Sequence, residues 1–525
     1  MSALTGLLDC LMRPAFGCPS GVFRSQGSSS LSTAVSKASS PTGRGWNLDN
    51  TYTRLPPGLF RHARPLEFPQ PRVVLLNAGL SRDLGLDFEG LAETDLAEVL
   101  SGRRLPPGAD PIAQAYAGHQ FGGFSVLGDG RAILLGEQVT PGGARYDLQW
   151  KGSGPTAYSR RGDGRAALGP MLREYLISEA MQALRVPTTR SLAVLTTGDL
   201  VFREGPLPGA VLIRVAASHL RVGTFQLLLA QQDNDTLRHL ADYTIARHDP
   251  DLLTHPEKDL ELLRRVISRQ ARLIAQWQQL GFVHGVMNTD NMALSGETID
   301  YGPCAFLDRY DPATVFSSID RGGRYAYGNQ PSIGLWNLTR FAETLLPLLD
   351  PVQERAIELA TEALQQYAPQ FEQALQAGFR RKLGLETTEE GDVALVQELL
   401  DAMQAAQADF TNTFAGLADS ERWDPAWGQH SALQGWLPKW TDRLAREGSD
   451  RQQAQSRLRQ ANPQIIPRNE RVEEALTAAV SNGDLGPTHR LLAALADPFT
   501  PSDLHGPYRN SPPPGACGYR TFCGT

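Results

Sequence analysis

The residues best suited to chemistry lie in one stretch that begins at His284. Seven positions later stands Asn291, and an Asp-Tyr-Gly triplet begins at Asp300. This spacing is typical of a kinase catalytic segment, where a metal-binding Asn follows the histidine and an Asp-x-Gly comes on the next strand. The kinase base would stand two residues after the histidine, but Val286 occupies that place and cannot accept a proton. The pattern predicts a nucleotide–metal apparatus whose base is lost or moved, and Asp290 is the nearest carboxylate.

Asn291 and Asp300 are the candidate metal ligands. Amide and carboxylate oxygens are hard donors that suit Mg²⁺ or Mn²⁺. The structural alternative is that Asn291 caps a backbone segment and Asp300 stabilises a turn. Because His284 and Gly302 stand in register with both residues, we favour the metal site.

A glycine-rich stretch precedes this segment. Residues 121–136 predict a strand, a tight turn at Gly128-Asp129-Gly130, and a second strand. Backbone N–H groups in such a turn can approach phosphate oxygens, and Arg131 adds a positive charge. An ordinary hairpin would explain the glycines equally well, so the turn alone does not indicate nucleotide binding.

Lys151 ends a predicted strand at residues 146–151. In kinase-like lobes the third strand carries a lysine that reaches the nucleotide phosphates and pairs with a Glu on the following helix. Glu174 and Glu179 both qualify as that partner, and we prefer Glu174 for this supporting ion pair. A surface lysine at a strand end is the alternative. The chain order of glycine turn, lysine, helix glutamate and Asp-x-Gly favours the phosphate-binding lysine over the surface lysine.

Two more arginines, Arg214 and Arg221, lie on and just after a predicted strand. Either could form a structural ion pair. Together with Arg131 and Lys151 they provide more positive charge than one γ-phosphate site needs. That excess fits a triphosphate bound in an unusual direction.

The order of the predicted elements indicates the fold class. Strands prevail up to about residue 217 and helices after residue 227, although residues 73–86 are predicted to form a short helix. We predict an α+β, two-lobe, protein-kinase-like fold with a β-rich small lobe and a helical large lobe. The predicted parts are an extension at 1–45, a small lobe with an N-terminal wrap at 46–230, a large lobe with the metal site at 231–497, and a flexible tail at 498–525.

Composition excludes several classes of protein. A formal net charge of −7 gives no basic field for nucleic acid, and no apolar run reaches the length of a membrane span. Five cysteines in 525 residues predict no disulfide framework and a reducing compartment. Residues 1–45 are Ser-rich and poor in acids, which is typical of a transit peptide or of a disordered extension; we prefer the latter. The location is therefore expected to be cytoplasmic if the source is bacterial, and mitochondrial if the extension is a transit peptide.

Longer motifs identify a family. They are residues 116–124 (Tyr-Ala-Gly-His-Gln-Phe-Gly-Gly-Phe), 148–156 (Leu-Gln-Trp-Lys-Gly-Ser-Gly-Pro-Thr), 284–292 (His-Gly-Val-Met-Asn-Thr-Asp-Asn-Met) and 300–306 (Asp-Tyr-Gly-Pro-Cys-Ala-Phe). On these motifs the chain, from about residue 46 to its end, resembles the selenoprotein O family (SelO, also called YdiU). The resemblance implies a pseudokinase fold with family-specific extensions.

The resemblance also implies an activity. Members of the selenoprotein O family transfer AMP from ATP to Ser, Thr or Tyr hydroxyls of target proteins, including themselves, and release pyrophosphate. The implied metal is Mg²⁺ or Mn²⁺, the ATP lies flipped relative to kinases, and some members transfer UMP from UTP. Asp290 matches the proton acceptor, and Asn291 and Asp300 match the metal ligands. The positions that match the nucleotide-binding set are Gly128, Gly130, Arg131, Lys151, Asp163, Gly164, Arg214, Arg221 and Asp300.

A cysteine near the C-terminus is implied to be redox-active, and Cys523 occupies that position. Its family partner would follow the Asp-x-Gly triplet, where this chain has Phe316 and, nearby, only Cys304. A disulfide to the large lobe is therefore not predicted. Cys517 and Cys523 could pair with each other or with another protein, or both could be inert.

Two other functions compete with nucleotidyl transfer: an ordinary phosphotransferase, and a nucleotide-binding scaffold without activity. Val286 argues against the first, because a kinase keeps its base there. Lys151, Asn291 and Asp300 argue against the second, since a scaffold has no need of a metal site.

Overall fold

A computed structural model describes residues 42–512 and 519–521. Its strands are β1 (Phe60–His62), β2 (Arg72–Leu76), β3 (Ile112–Gln114), β4 (Ala117–Gln120), β5 (Gly123–Val126), β6 (Ala132–Val139), β7 (Arg145–Lys151), β8 (Ala166–Ala167), β9 (Arg190–Phe202), β10 (Pro206–Ala216), β11 (Phe282–Val283) and β12 (Ala305–Phe306). Its helices are α1 (Ala78–Asp83), α2 (Glu93–Leu100), α3 (Leu168–Ala183), α4 (Val222–Gln231), α5 (Asn234–His248), α6 (Lys258–Leu280), α7 (Gln330–Leu349), α8 (Gln353–Leu364), α9 (Tyr367–Lys382), α10 (Asp392–Ala406), α11 (Phe410–Ala415), α12 (Pro425–Gly428), α13 (Ser431–Arg446), α14 (Arg451–Ala461), α15 (Asn469–Asn482) and α16 (Gly486–Leu495). The N-terminal part is thus rich in sheet and the C-terminal part is helical, which is consistent with two lobes.

The main sheet is antiparallel, in the order β1-β3-β6-β7-β10-β9-β2, and β8 pairs with β10. Its middle strands carry the charged residues that the sequence singled out. Lys151 at the end of β7 stands opposite Ala132 of β6 and Leu212 of β10. The sheet therefore holds Lys151 between two neighbours rather than at a loose strand end.

Both faces of this sheet are covered. Along β10, Val211 and Ile213 join a buried cluster with the N-terminal helices α1 and α2, whereas Leu212 packs into the cluster that contains α3. This alternation follows from the two-residue period of a strand. The segment before β3 is therefore a structural layer of the sheet-rich part.

The long helix α6 delivers the chain to the central loop. It ends at Gly281, whose φ of +70° provides the left-handed cap that terminates many helices. The short strands β11 and β12 pair directly after it. They enclose residues 284–304, so both ends of the loop that bears the candidate catalytic residues are fixed.

The helix predicted for residues 73–86 is wrong in its first half. Val73 and Leu75 belong to β2 and pair with β9. Helix α1 begins only after Asn77, whose side chain accepts a hydrogen bond from Leu80 N. The leucine spacing looked helical, but sheet pairing with a distant strand determines the conformation of these residues.

The two strands predicted around Gly128-Asp129-Gly130 do not pair with each other, although a tight turn is present there, in which Gly130 N donates to Gly128 O at 2.7 Å. Strand β5 pairs with β4 in a separate hairpin, and β6 pairs with β3 and β7. The turn of that hairpin lies at Phe121 and Gly122, where φ is 52° and 87°. Residues 127–131 instead connect the hairpin to the main sheet.

None of the helices within 42–512 has the length and apolar character needed to cross a bilayer.

Candidate active site

A cavity of about 330 Å³ lies between the ends of the central strands and the loop after β11. Its volume is within the range of small-molecule sites, about 300–1,000 Å³. Most of the residues singled out from the sequence line it: Gly128, Gly130, Arg131, Lys151, Arg214, Arg221, Asp290, Asn291 and Asp300. The structure thus brings residues far apart in the chain to one place.

Lys151 is held by two carboxylates at the back of this cavity. Its Nζ lies 2.5 Å from Glu174 Oε2 and 2.6 Å from Asp300 Oδ1. Glu174 is on α3 and is the residue that contacts Lys151, whereas Glu179 binds Arg190 at 2.7 Å. Lys151 therefore links the sheet, helix α3 and the Asp-x-Gly loop.

Asp300 has an unusual backbone and a strongly acidic side chain. Its φ of 68° is in the left-handed region, which is uncommon outside glycine and concentrates at functional sites. Burial alone would raise the pKa of its carboxyl group, but Lys151, Arg131 and Arg214 outweigh burial and hold that pKa well below its usual range. Asp300 is therefore ionised at any physiological pH.

Asn291 completes the candidate metal site. Its amide nitrogen donates to Val286 O at 3.0 Å, which leaves the amide oxygen without a hydrogen-bond donor among the described residues. Within 42–512 and 519–521 there is no cluster of three His, Cys, Asp or Glu that could hold a metal by itself. One amide and one carboxylate oxygen fit a hard divalent cation whose remaining ligands are phosphate and water.

Asp290 is buried beside these ligands. Its Oδ2 accepts from Gln120 Nε2 at 3.3 Å, while its buried Oδ1 has no hydrogen-bond partner in the described part of the chain. Burial raises the pKa of its carboxyl group to about 6. A carboxylate with a pKa near the working pH is suited to general base catalysis.

His284 has a structural role. Its ring is buried, and Nε2 lies 2.9 Å from the carbonyl oxygen of Ile299. This contact joins the start of the loop to the residue before Asp300. Val286 lines the cavity, so the wall at the usual base position is apolar.

Two of the arginines that line the cavity are held by contacts with neighbouring residues. Arg214 lies 3.2 Å from Glu174 and 2.6 Å from Gln149. Arg221 donates to the backbone carbonyl of Asp290 at 3.3 Å. These contacts fix both guanidinium groups before any ligand binds, which is the preorganisation that anion binding requires.

Asp163 and Gly164 are not brought to the cavity. Asp163 is paired with Arg203 at 2.9 Å on a half-exposed loop. Gly164 accepts a hydrogen bond from Gly154 N at 2.9 Å and thereby closes that loop. Their assignment to the nucleotide stays a prediction.

Asp129 is a site residue that the sequence reasoning missed. It is 2% exposed, accepts from Gln149 Nε2 at 3.1 Å and lies 3.6 Å from Arg221. Burial raises the pKa of its carboxyl group. An Asp between two glycines was the available signal, but such a triplet is so common in turns that we assigned it to one.

The cysteine predictions fall mainly outside the structure. Cys304 is buried, and burial raises the pKa of its thiol to about 12, so it is a small core residue rather than a nucleophile. Cys517 and Cys523 lie outside the described residues, and their redox role stays a prediction. Phe316 packs against Tyr519, with 6.1 Å between the ring centroids.

Activity should depend on pH through Asp290. A general base works when deprotonated, so the rate should fall as pH drops through about 6, the raised pKa of its carboxyl group. The measurement is kcat/KM from pH 5 to 8 at fixed ionic strength, with thermal melts at each pH to exclude unfolding. An acid limb centred near pH 4 would contradict a buried Asp290 carboxyl group with a raised pKa.

Comparisons with known proteins identify the family. The family model described as "Protein adenylyltransferase SelO" matches residues 46–496. A protein named Protein nucleotidyltransferase YdiU from Bacillus cytotoxicus is 55% identical over 92% of this chain and 98% of its own length. Proteins of the same name from Halalkalibacterium halodurans and Geobacillus kaustophilus are each 56% identical over 92% of this chain and 98% and 99% of their own lengths. The chain therefore belongs to the SelO family of protein adenylyltransferases.

Proposed function

We propose that this protein transfers AMP from ATP to the hydroxyl groups of Ser, Thr or Tyr in target proteins and releases pyrophosphate. The observation that carries the proposal is the state of Asp290. It is a buried carboxylate with a raised pKa and an unpartnered oxygen, in a cavity lined by Lys151, Arg214 and Arg221. The cavity thus offers a proton acceptor and a fixed cationic surface side by side.

The residues divide the reaction between them. Asp290 accepts the proton of the incoming hydroxyl, whose oxygen forms a bond to the α-phosphorus. The bond between that phosphorus and the α,β-bridging oxygen breaks, and pyrophosphate leaves with the electron pair. Arg131, Lys151 and Arg214 hold the β- and γ-phosphates and stabilise the charge that develops on the leaving group. Arg221 positions Asp290 through its backbone carbonyl.

Asn291 and Asp300 would hold the divalent cation. When bound, such a cation neutralises phosphate charge and acts as a Lewis acid. Both Mg²⁺ and Mn²⁺ fit an oxygen donor pair, so the choice between them is left to the measurement. UMP transfer from UTP is a further proposal that rests on the family alone.

The direction of the nucleotide follows from the missing base. At the position where a kinase base would assist γ-phosphoryl transfer, Val286 presents an apolar side chain to the cavity. Asp290 instead lies beside the hairpin of β4 and β5, where Gln120 donates to it at 3.3 Å. We propose that ATP lies flipped relative to kinases, with its α-phosphate at Asp290 and its β- and γ-phosphates towards Lys151.

We also propose a kinase-like relation for the fold. It is supported by the antiparallel sheet, the Lys151–Glu174 pair between β7 and α3, and the loop between β11 and β12. In this proposal the small lobe with its wrap spans 46–230 and the large lobe spans 231–497. The parts at 1–45 and 498–525 lie largely or partly outside the described residues, and their boundaries stay predictions.

The partners we propose are ATP and hydroxyl-bearing proteins, including the protein itself. The relatives reported above are bacterial. A cytoplasmic location, or a mitochondrial one if residues 1–45 are a transit peptide, stays a prediction from the sequence.

Product analysis tests the proposed reaction. The protein is incubated with ATP, a divalent cation and an acceptor protein, and the nucleotide products are separated by anion exchange. We expect pyrophosphate to appear in step with modified protein. ADP in that place would restore the phosphotransferase, and bound ATP with no turnover would favour the scaffold.

A further inference from the structure

A cationic and aromatic group of side chains lies next to the β4–β5 hairpin, whose Gln120 and Phe121 line the active-site cavity, and none of the roles above uses it. We call it the acceptor-side cluster: His119, Arg324, Trp336 and Arg340. The guanidinium carbon of Arg324 lies 4.7 Å from the centre of the Trp336 ring, and that of Arg340 lies 5.2 Å from it. The His119 ring packs edge-on against the same indole at 5.2 Å.

Arg324 stands out in this cluster because none of the described carboxylates pairs with its charge; its guanidinium contacts the aromatic side chains of Trp336 and Tyr325 instead. Arg340 is paired with Glu343 at 2.7 Å. Arg324 forms no ion pair with any carboxylate that the structure describes, and its buried Nε has no hydrogen-bond partner there. Asp320, four residues before Arg324, uses its two oxygens on the backbone N–H groups of Arg324 and Tyr325, at 2.9 and 2.8 Å. A half-buried positive charge that no carboxylate balances is costly, which favours a carboxylate supplied from outside.

The electrostatics of His119 agree with an excess of positive charge. Burial lowers the pKa of its imidazole, and Arg340 and Arg324 lower it further against a hydrogen bond from Gln226 that raises it. The imidazole is therefore neutral at physiological pH. The positive charge of the cluster comes from its arginines, of which Arg324 alone lacks a carboxylate among the described residues.

The cluster is connected to Asp290 by short contacts. Tyr325, next to Arg324, donates to Asn288 Oδ1 at 2.6 Å, and Asn288 is two residues before Asp290. Along the hairpin, Gln120 donates to Asp290, and a Cβ at Gly122 would lie 3.8 Å from the Arg324 guanidinium carbon. Two residues of extended chain span about 7 Å at most. Gln120 and Gly122, two residues apart on the hairpin, thus lie against Asp290 and Arg324 respectively. A polypeptide whose hydroxyl reaches Asp290 would bring a side chain one or two residues away towards the guanidinium.

The surroundings favour a polypeptide as the occupant. Phe124 and Ile319, which are 46% and 55% exposed, lie on the hairpin and in the segment before Arg324. Ile319 also lines the cavity. Exposed apolar side chains beside an unpaired arginine match a peptide segment that carries both apolar and acidic residues.

We propose that Arg324, stacked on Trp336, binds a carboxylate of the target polypeptide one or two residues from the accepting hydroxyl. The enzyme would then prefer hydroxyls flanked by Asp or Glu. A guanidinium presents two parallel N–H donors to a carboxylate, and stacking on an indole fixes its plane. This inference rests on the proposed function and adds the substrate class to it.

The test compares three acceptor tails on one carrier protein. Each tail is unstructured and holds one Ser, flanked on both sides by Glu, by Gln or by Lys. With ATP labelled at the α-phosphate, we expect kcat/KM for the Glu tail to exceed that for the Gln tail about tenfold, with the Lys tail lowest. Arg324→Gln should remove the preference and leave the KM for ATP unchanged. Arg324→Glu should make the Lys tail the best acceptor.

Matched controls separate recognition from folding. Arg355→Gln removes the same charge from an exposed site on α8 and should keep the wild-type preference. Arg324→Lys retains the charge without the planar fork and should keep a weaker preference. A purely structural role for Arg324 would lower the rates on all three tails by the same factor, and that result would overturn the proposal.

Other outcomes are equally decisive. Equal use of the three tails by the wild type, or an unchanged preference in Arg324→Gln, overturns the inference while the transfer reaction stands. Label on the enzyme but on none of the tails also counts against it, since an acidic flank would then not suffice. If α-label enters no protein at all, the proposed function itself fails.

Discussion

Asp300→Ala should abolish nucleotidyl transfer, with a loss of about 1,000-fold or more in kcat. The carboxylate is one of only two proposed protein ligands of the cation, and it also fixes Lys151 at 2.6 Å. Nucleotide binding should survive in weakened form, because Arg131, Arg214 and Arg221 still line the cavity. The measurement is single-turnover transfer together with ATP binding by calorimetry.

Asp401→Ala is the matched control for that substitution. It removes an exposed carboxylate from α10, where Asp401 accepts a hydrogen bond from Gln397, and it should leave transfer and ATP binding unchanged. Near-wild-type turnover in Asp300→Ala would rule out the metal-site assignment. A variant that has lost both transfer and its thermal transition would report unfolding, and Asp300→Asn would then replace it.

Asp290→Asn should lower kcat by about 100- to 10,000-fold, the usual contribution of a general base. The amide keeps the size of the side chain but cannot accept a proton from the hydroxyl. The acid limb of the pH profile near 6 should disappear with it. The measurement is kcat/KM against pH for wild type and variant under identical salt.

Gln120→Leu tests the role of Asp290 by removing the side chain that donates a hydrogen bond to its carboxylate. The hydrogen bond from Gln120 lowers the pKa of the Asp290 carboxyl group, so its removal should move the acid limb to higher pH. Burial remains the larger influence, so the shift should be small.

An Asp290→Asn variant with wild-type rate and an intact acid limb would show that another group accepts the proton.

Residues whose conformation depends on near neighbours could be predicted from the sequence. Lys151 at a strand end and Glu174 on the next helix were placed correctly along their elements, because alternation and helical periodicity are local signals. A local signal also marks the end of α6, where Gly281 provides the left-handed cap. The family motifs then indicated which of these residues share one site.

Residues whose conformation depends on distant pairing could not be predicted. Val73 belongs to a strand because β9 lies beside it, although the local spacing of leucines looked helical. Asp129 looked like a turn residue, yet burial near Arg221 makes it part of the cavity wall. Arg324 carried no motif, and only the folded chain places it against Trp336. The contacts of Val73 with β9 and of Asp129 with Arg221 span more than 80 residues of sequence. The contact of Arg324 is shorter in sequence, but it joins a loop to helix α7.

The central claim is the identity of the group that is transferred, and one labelling experiment tests it most directly. The protein is incubated with a divalent cation and with ATP labelled either on the α-phosphate or on the γ-phosphate, and label on protein is counted after denaturing gel separation. We predict label on protein from the α position only, lost when the cation is chelated and lost in Asp300→Ala. Label from the γ position would contradict the claim and assign the protein to the phosphotransferases.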